Sequence, residues 1–275
     1  MRRARPLLGT FVEVVASGLA ELSLGRAVDA AFGAIERVHR LMSFHDPLSD
    51  VTRLNRYAPF ESVTVDPWTA TVLRRAQMLF AATSGLFDCA VGHELMQRGL
   101  LPLEGLAHAR HGSFSAVWSL GENRFRFSAP IAIDLGGIAK GFAVDRAIAM
   151  LRAHGVREAL VNAGGDLRVI GPTPQTVHIR CPGEDGRILR AGLLRHAAIA
   201  TSGALTTIGR RDMAQMAPEL STLHYAYSVV APTCWLADAL TKVLVQLGDP
   251  TASCFAAFGA SAFITLPEVL ADGAA

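Results

Sequence analysis

The chain lacks any apolar run of the length a bilayer demands, so no segment is expected to span a membrane. It also lacks a Cys-x-x-Cys pair. Its four cysteines, Cys89, Cys181, Cys234 and Cys254, stand far apart, which excludes a thiolate metal site of ordinary spacing and a disulfide framework. No run of like charge occurs. The arginines are scattered and the formal net charge is +2, so nothing in the composition supports a nucleic-acid partner. No Pro/Gly/Ser-rich linker and no internal repeat divides the 275 residues, which read as one domain. The start, "MRRARPLLGTFVEVVASGLAEL", carries charges but no apolar core of a signal peptide; as written, the chain is expected to stay in the cytoplasm. What is present is core-forming material: 51% of residues are hydrophobic and 18% charged, the balance of a globular protein.

Periodicity and punctuation give the elements. "TFVEVVA" alternates as a strand. Leu24, Val28, Phe32, Ile35, Val38 and Leu41 keep a helical stripe. "DPWTATVLRRAQMLFAATSG" has Asp66 as N-cap, Pro67 at the first helical position and Gly85 as its stop. "VWSLGENRFRFSA" reads as a hairpin turning at Gly121-Glu122-Asn123, with Phe125 and Phe127 on one face. "EALVNAGGDLRVIG", "TVHIRC", "AAIATSG" and "HYAYSVVAPTC" read as strands, and "LADALTKVLVQLG" as a helix ending at Gly248. Helices before and after blocks of consecutive strands predict an α+β fold with a mixed or antiparallel sheet and flanking helices.

The segment with most chemistry is "IAIDLGGIAKGFAVDRAIAMLRAHG", residues 131–155. It is not a Walker A loop, because Gly141 and not Ser or Thr follows Lys140. Nor do Gly136, Gly137 and Gly141 have dinucleotide-fingerprint spacing. Ile131, Ile133 and Leu135 read as a strand, Gly136 and Gly137 as a sharp turn, and Phe142, Ile148 and Leu151 as a helix stopping at Gly155. A lysine in the first turn of a helix opposes the helix dipole unless an anion sits there too. Two readings stand: an anion cradle, or a buried strand-turn-helix with an exposed lysine.

In order, "RPLLGTFVEV", "MSFHDPLSDVTRLN", "SGLFDCAVGHEL", "IDLGGIAKGFAVDRA", "ALVNAGGDLRVIG", "ATSGA" and "ADALTKVLVQLG" resemble the ApbE family, flavin transferases that use FAD as donor of an FMN group. The resemblance runs over about residues 5 to 250 and implies one ApbE-like domain over residues 5–265. It implies FAD:protein FMN transfer, in which FMN moves from FAD to a Ser or Thr hydroxyl of a target protein as a phosphodiester, with magnesium as cofactor. FAD and a protein acceptor are then the partners. Such phosphoryl transfer rests on positioning and charge neutralisation. By motif, Asp134 and Lys140 would contact FAD, Lys140 at the pyrophosphate. Leu8 stands in a methionine's place, and Phe44 where an aromatic packs on the flavin. Leu86, Phe87 and Asp88 would line the nucleotide pocket. Asn162, Gly164 and Gly165 read as structural support beside the site. Gly137 (through its carbonyl), Asp238 and Thr241 would face the metal, Asp238 as the hard oxygen ligand.

The sequence departs from that pattern twice. The family's His-x-x-Asp-Pro-x-Thr-Gly loop implies a histidine that activates the acceptor. Here the stretch is "RRDMAQMAPELSTLHYAYSVV", where Pro218 lacks its aspartate and His224 reads as a structural strand residue. In the last helix, Lys242 stands where the pattern has the metal-site threonine, four residues after Asp238. An ammonium there competes with a divalent ion and could replace magnesium in neutralising the pyrophosphate, which makes Lys242 a candidate metal substitute and magnesium binding weak. Alongside transfer, two alternatives therefore remain: a catalytically impaired FAD-binding protein of the same family, and an FAD pyrophosphatase.

Overall fold

The computed structural model describes residues 1–180, 188–203 and 225–265. Alternation of apolar and polar residues builds its main sheet. In β2 (Thr10–Ser17), Val12, Val14 and Ala16 are buried while the residues between them are more exposed. The same period organises β6 (Glu158–Ala163), whereas β7 (Asp166–Ile170), β10 (Ala198–Gly203) and β11 (Ala226–Ala231) are buried along most of their length. With β1 (Arg2–Leu7) and β12 (Ser261–Thr265) they form a seven-stranded sheet in the order β1-β2-β6-β7-β10-β11-β12. Every pairing in it is antiparallel.

Three helices cover one face. These are α1 (Glu21–Met42), α5 (Ala139–Ala153) and α6 (Cys234–Leu247), with α5 packed between α1 and α6. On the opposite face Leu167, Val169 and Ile199 pack under a two-stranded ribbon, β8 (Gln175–Arg180) and β9 (Ile188–Leu194), through Val177, Ile179 and Leu194. Register thus sends Leu167 to the ribbon and its neighbour Asp166 to the helices. Helices α2 (Asp50–Tyr57), α3 (Pro67–Ala82) and α4 (Gly92–Gln97) and a three-stranded sheet, β3 (Val63–Thr64), β5 (Arg124–Phe127) and β4 (Val117–Ser119), complete the same core. No helix among the described residues is long and apolar enough to cross a membrane.

Most expected elements form where expected. Asp66 caps α3 by accepting from the Trp68 N–H at 2.8 Å, and Pro67 opens it. The hairpin turns at Gly121, Glu122 and Asn123, all in the left-handed region, with Phe125 and Phe127 buried. Gly248 ends α6 at φ 64°. One expectation is corrected. Residues 131–135 join no sheet, although Ile131, Ala132, Ile133 and Leu135 are buried. Instead the Asn55 side chain imitates a neighbouring strand, donating to the Ile133 carbonyl at 2.9 Å and accepting from its N–H at 2.8 Å. Loop backbone takes the rest: Gly92 N–H donates to Ala132, and Asp134 N–H to Cys89. Pro218, His224 and Cys181 lie outside the described residues.

Candidate active site

A cleft opens where α5 begins and β10 ends, beside the second half of α6. It has two lobes. One of about 460 Å³ is lined by Leu86, Phe87, Asp88, Leu95, Leu100 and Gln246 among others. The other, about 420 Å³, is lined by Leu8, Gly9, His39, Met42, Phe44 and His45 among others. Leu101, Asp134, Gly136 and Lys140 border both and form a waist. Leu8 reaches the second lobe from a two-residue turn, with φ 56° at Leu8 and 70° at Gly9, between Leu7 and Thr10. A bulky residue is uncommon in that conformation. Gln246 Nε2 pins the first lobe's wall by donating to the Leu86 carbonyl at 2.7 Å.

Besides Asp134, four charged side chains meet at or next to the waist. Lys140, in the first turn of α5, forms a close ion pair with Asp166 and lies 3.7 Å from Asp238 Oδ1. Lys242 lies 3.6 Å from that same oxygen. Its Nζ donates to Ser202 Oγ at 2.6 Å and to Thr241 Oγ1 at 3.2 Å. Asp238 is fully buried; its Oδ2 accepts the Gly141 N–H at 3.0 Å, and its Oδ1 has no hydrogen bond. The dipole conflict at Lys140 is therefore met by the protein's own carboxylates. Close approach of α5 and α6 makes this possible, since a Cβ on Gly141 would lie 2.3 Å from the Cys234 carbonyl oxygen.

Burial works against each charge, and neighbours decide the outcome. For Lys140, burial is outweighed by Asp238 and Asp166, which hold the ammonium above the ordinary lysine range. For Lys242, burial prevails, and although Asp238 opposes it, Lys140 adds to it, so the value falls. Burial and then Asp238 raise Asp166 to about 6, against the pull of Lys140. Burial also raises Asp134, opposed by the Gly136 N–H, His45 and Lys140.

The structure brings Asp134, Gly137, Lys140, Asp238, Thr241 and Lys242 together at the waist, with Leu86, Phe87 and Asp88 in one lobe and Leu8 and Phe44 in the other. The Asp88 carboxylate is already engaged by the N–H groups of Ala90 and Phe114. Asn162 supports the β6–β7 turn by accepting from Gly165 N–H at 2.9 Å. Asp166, Ser202, His45 and Gln246 are additional. Register is why sequence reasoning missed Asp166 and Ser202: only the paired sheet shows that they point at α5 and α6. One compositional signal was available, because among 26 Lys and Arg residues only Lys140 and Lys242 are lysines.

The donors present do not fit the magnesium that the resemblance implies. Such an ion takes about six oxygens in near-octahedral geometry. Among the described residues no three His, Cys, Asp or Glu side chains converge to hold a metal. Ser202 and Thr241 hydroxyls accept from Lys242, and Asp238 Oδ1, buried without a hydrogen bond, is flanked by two ammoniums. The Lys242 stem also covers Gly137, where an added Cβ would lie 3.3 Å from Lys242 Cγ and Cε.

An antiparallel α+β domain with a charged, two-lobed cleft is the class these observations define. Comparison with known proteins makes it particular: the ApbE family profile matches residues 8–264, and the chain belongs to the ApbE family. The FAD:protein FMN transferase of Rhodobacter capsulatus is 32% identical over 215 residues, which are 72% of this chain and 40% of that longer protein. The FAD:protein FMN transferase of Vibrio cholerae is 25% identical over 242 residues, 78% of this chain and 71% of that one. The crystal structure of the ApbE protein of Thermotoga maritima superposes with a TM-score of 0.75 at 27% identity, covering 97% of this chain and 94% of that chain.

Proposed function

We propose that the protein is an FAD:protein FMN transferase, moving FMN from FAD to a Ser or Thr hydroxyl of a protein acceptor. The observation that carries this reading is the two-lobed cleft with both lysines at its waist. A dinucleotide has the matching shape: two rings and a diphosphate between them. The flavin belongs in the Leu8–Phe44 lobe and the adenosine in the Leu86–Gln246 lobe, with Lys140 and Lys242 beside the phosphates. In transfer, the acceptor oxygen bonds to the FMN phosphorus, the bond to the bridging oxygen breaks, and AMP leaves. The hydroxyl proton passes to solvent or to the departing phosphate.

The chain's own residues bind and orient. Two ammoniums held in place before substrate arrives stabilise the charge that spreads over the phosphate oxygens, without reorganisation during the reaction. Asp134, at the border of both lobes, is placed to accept from a ligand hydroxyl or ring N–H.

One observation favours a second reading, an FAD-binding protein without transfer: Lys242 stands among the oxygens expected at the metal. A single experiment separates the readings. Purified protein is incubated with FAD and acceptor proteins carrying candidate Ser and Thr sites, and products are resolved by mass spectrometry. Acceptor-bound FMN with matching AMP supports transfer. Free FMN and AMP without adduct indicate pyrophosphatase action, and intact bound FAD indicates a binding protein.

A further inference from the structure

The waist contains a cation site that is already filled by the chain. Lys242 Nζ has three oxygen neighbours, Ser202 Oγ at 2.6 Å, Thr241 Oγ1 at 3.2 Å and Asp238 Oδ1 at 3.6 Å, drawn from β10 and α6. The two hydroxyls are themselves fixed. Ser202 Oγ and Thr241 Oγ1 lie 2.8 Å apart, and Thr241 donates to the Asp238 carbonyl at 2.7 Å. These are oxygens of the kind a hard cation seeks, and an ammonium has taken them.

We propose that Lys242 is the resident cation of this cleft, standing in the charge-neutralising place of a divalent ion beside the substrate's diphosphate, with Ser202 and Thr241 as its positioning residues. Three observations converge on this. The side chain lies flat against Gly137, a stem position that any Cβ there would crowd. Its side chain is about one-third exposed and lines the larger lobe, so a ligand there reaches it. The chain also meets its need for cations elsewhere with arginine and keeps its only two lysines here. A guanidinium is a broad planar fork, whereas an ammonium is a compact point charge with three donors, the nearer match to a metal ion. The charges of Asp166 and Asp238 are balanced by Lys140 and Lys242, so a divalent ion at Asp238 Oδ1 would meet two ammoniums, with only Asp134 across the waist as a further carboxylate among the described residues.

The identity of the diphosphate rests on the reading of FAD as substrate; the filled cation site does not, and the test separates the two. In the absence of flavin, Mn2+ is titrated into the full chain and followed by electron paramagnetic resonance. The parent is expected to take up no ion at the cleft, and Lys242→Thr to take up one. A parent that binds Mn2+ as well as the variant does overturns the proposal. Separately, FAD is titrated calorimetrically in chelator and in millimolar magnesium. The parent's affinity is expected to agree within about twofold in both, while Lys242→Met loses at least about tenfold in both, the scale of one charge-assisted hydrogen bond. Lys242→Thr loses as much in chelator and regains it in magnesium. A parent that needs magnesium to bind FAD overturns the proposal. A parent that binds no FAD, with the Mn2+ results as expected, sinks the substrate reading and upholds the cation site.

Two further measurements guard against misfolded variants. Ser202→Ala keeps both charges and removes the shortest anchor of Lys242, so FAD affinity in chelator is expected to drop several-fold. With lysine alone isotopically labelled, the parent gives two side-chain ammonium signals in magnetic resonance, and FAD in chelator is expected to move both. A Lys242 signal unmoved by bound FAD overturns the proposal.

Discussion

Lys140 illustrates how one side chain serves structure and ligand together. It neutralises Asp166, which is buried, and it faces the cleft. Lys140→Met is expected to weaken FAD binding roughly 10- to 100-fold, the worth of one charge-assisted contact to phosphate. The same change leaves Asp166 buried without its partner, which costs stability on its own account. The double variant Lys140→Met with Asp166→Asn removes the pair as a unit. Its unfolding midpoint should recover toward the parent while FAD affinity stays low; recovery of both would show that Lys140 acts only on the fold. Asp166 also gives a pH signature. Its native value of about 6 lies above the ordinary 3.8, so the folded chain binds more protons there than the unfolded chain. Its contribution to stability is therefore greatest below pH 3.8 and declines as pH rises through about 6. The stability difference between parent and Asp166→Asn, measured by urea unfolding across that window, should slope accordingly. A flat difference would mean that Lys140 keeps the carboxylate ionised throughout.

At the scale of elements, the segment entering α5 depends on one remote side chain. Asn55, fully buried on α2, satisfies both backbone groups of Ile133. Asn55→Ala leaves two buried polar groups unpaired, an expected loss of about 2–4 kcal/mol, read from the urea midpoint at unchanged slope. A loss below about 1 kcal/mol would mean that water replaces the amide. This is also why the sequence misled at Ile131, Ile133 and Leu135. Alternating apolar residues report an extended, buried backbone, and a strand is only the commonest way to satisfy one. By contrast α1, α3 and α6 were legible because stripe, cap and stop signals are local. β1 was not: paired on one edge only and carrying Arg2, Arg3 and Arg5, it has a mostly exposed pattern without alternation. Arg3 and Arg5 are bound to α1 through Asp29, which blunts the edge. The candidate site was legible as far as its motifs run along the chain, from Asp134 to Lys140 and from Asp238 to Lys242. Asp166 and Ser202 reach it through sheet register, which local pattern does not carry.

On the scale of the whole molecule, the cleft is assembled from segments far apart in the chain. Its walls come from the β1–β2 turn, the end of α1, the loop after α3, the start of α5, β10 and α6. None of these walls persists in the unfolded chain, so a dinucleotide that spans both lobes binds the folded state alone. At about one hundred times its dissociation constant such a ligand stabilises by about 2.7 kcal/mol. For a domain of this size that corresponds to a rise of roughly 5–10 °C in the unfolding midpoint. Scanning calorimetry in chelator should show this rise with FAD. FMN and AMP each fill one lobe and reach the waist with a single phosphate, so at equal concentrations each should give a clearly smaller rise. An equal rise with FMN alone would mean that the adenosine lobe contributes nothing, and that the two-lobed cleft does not read a dinucleotide.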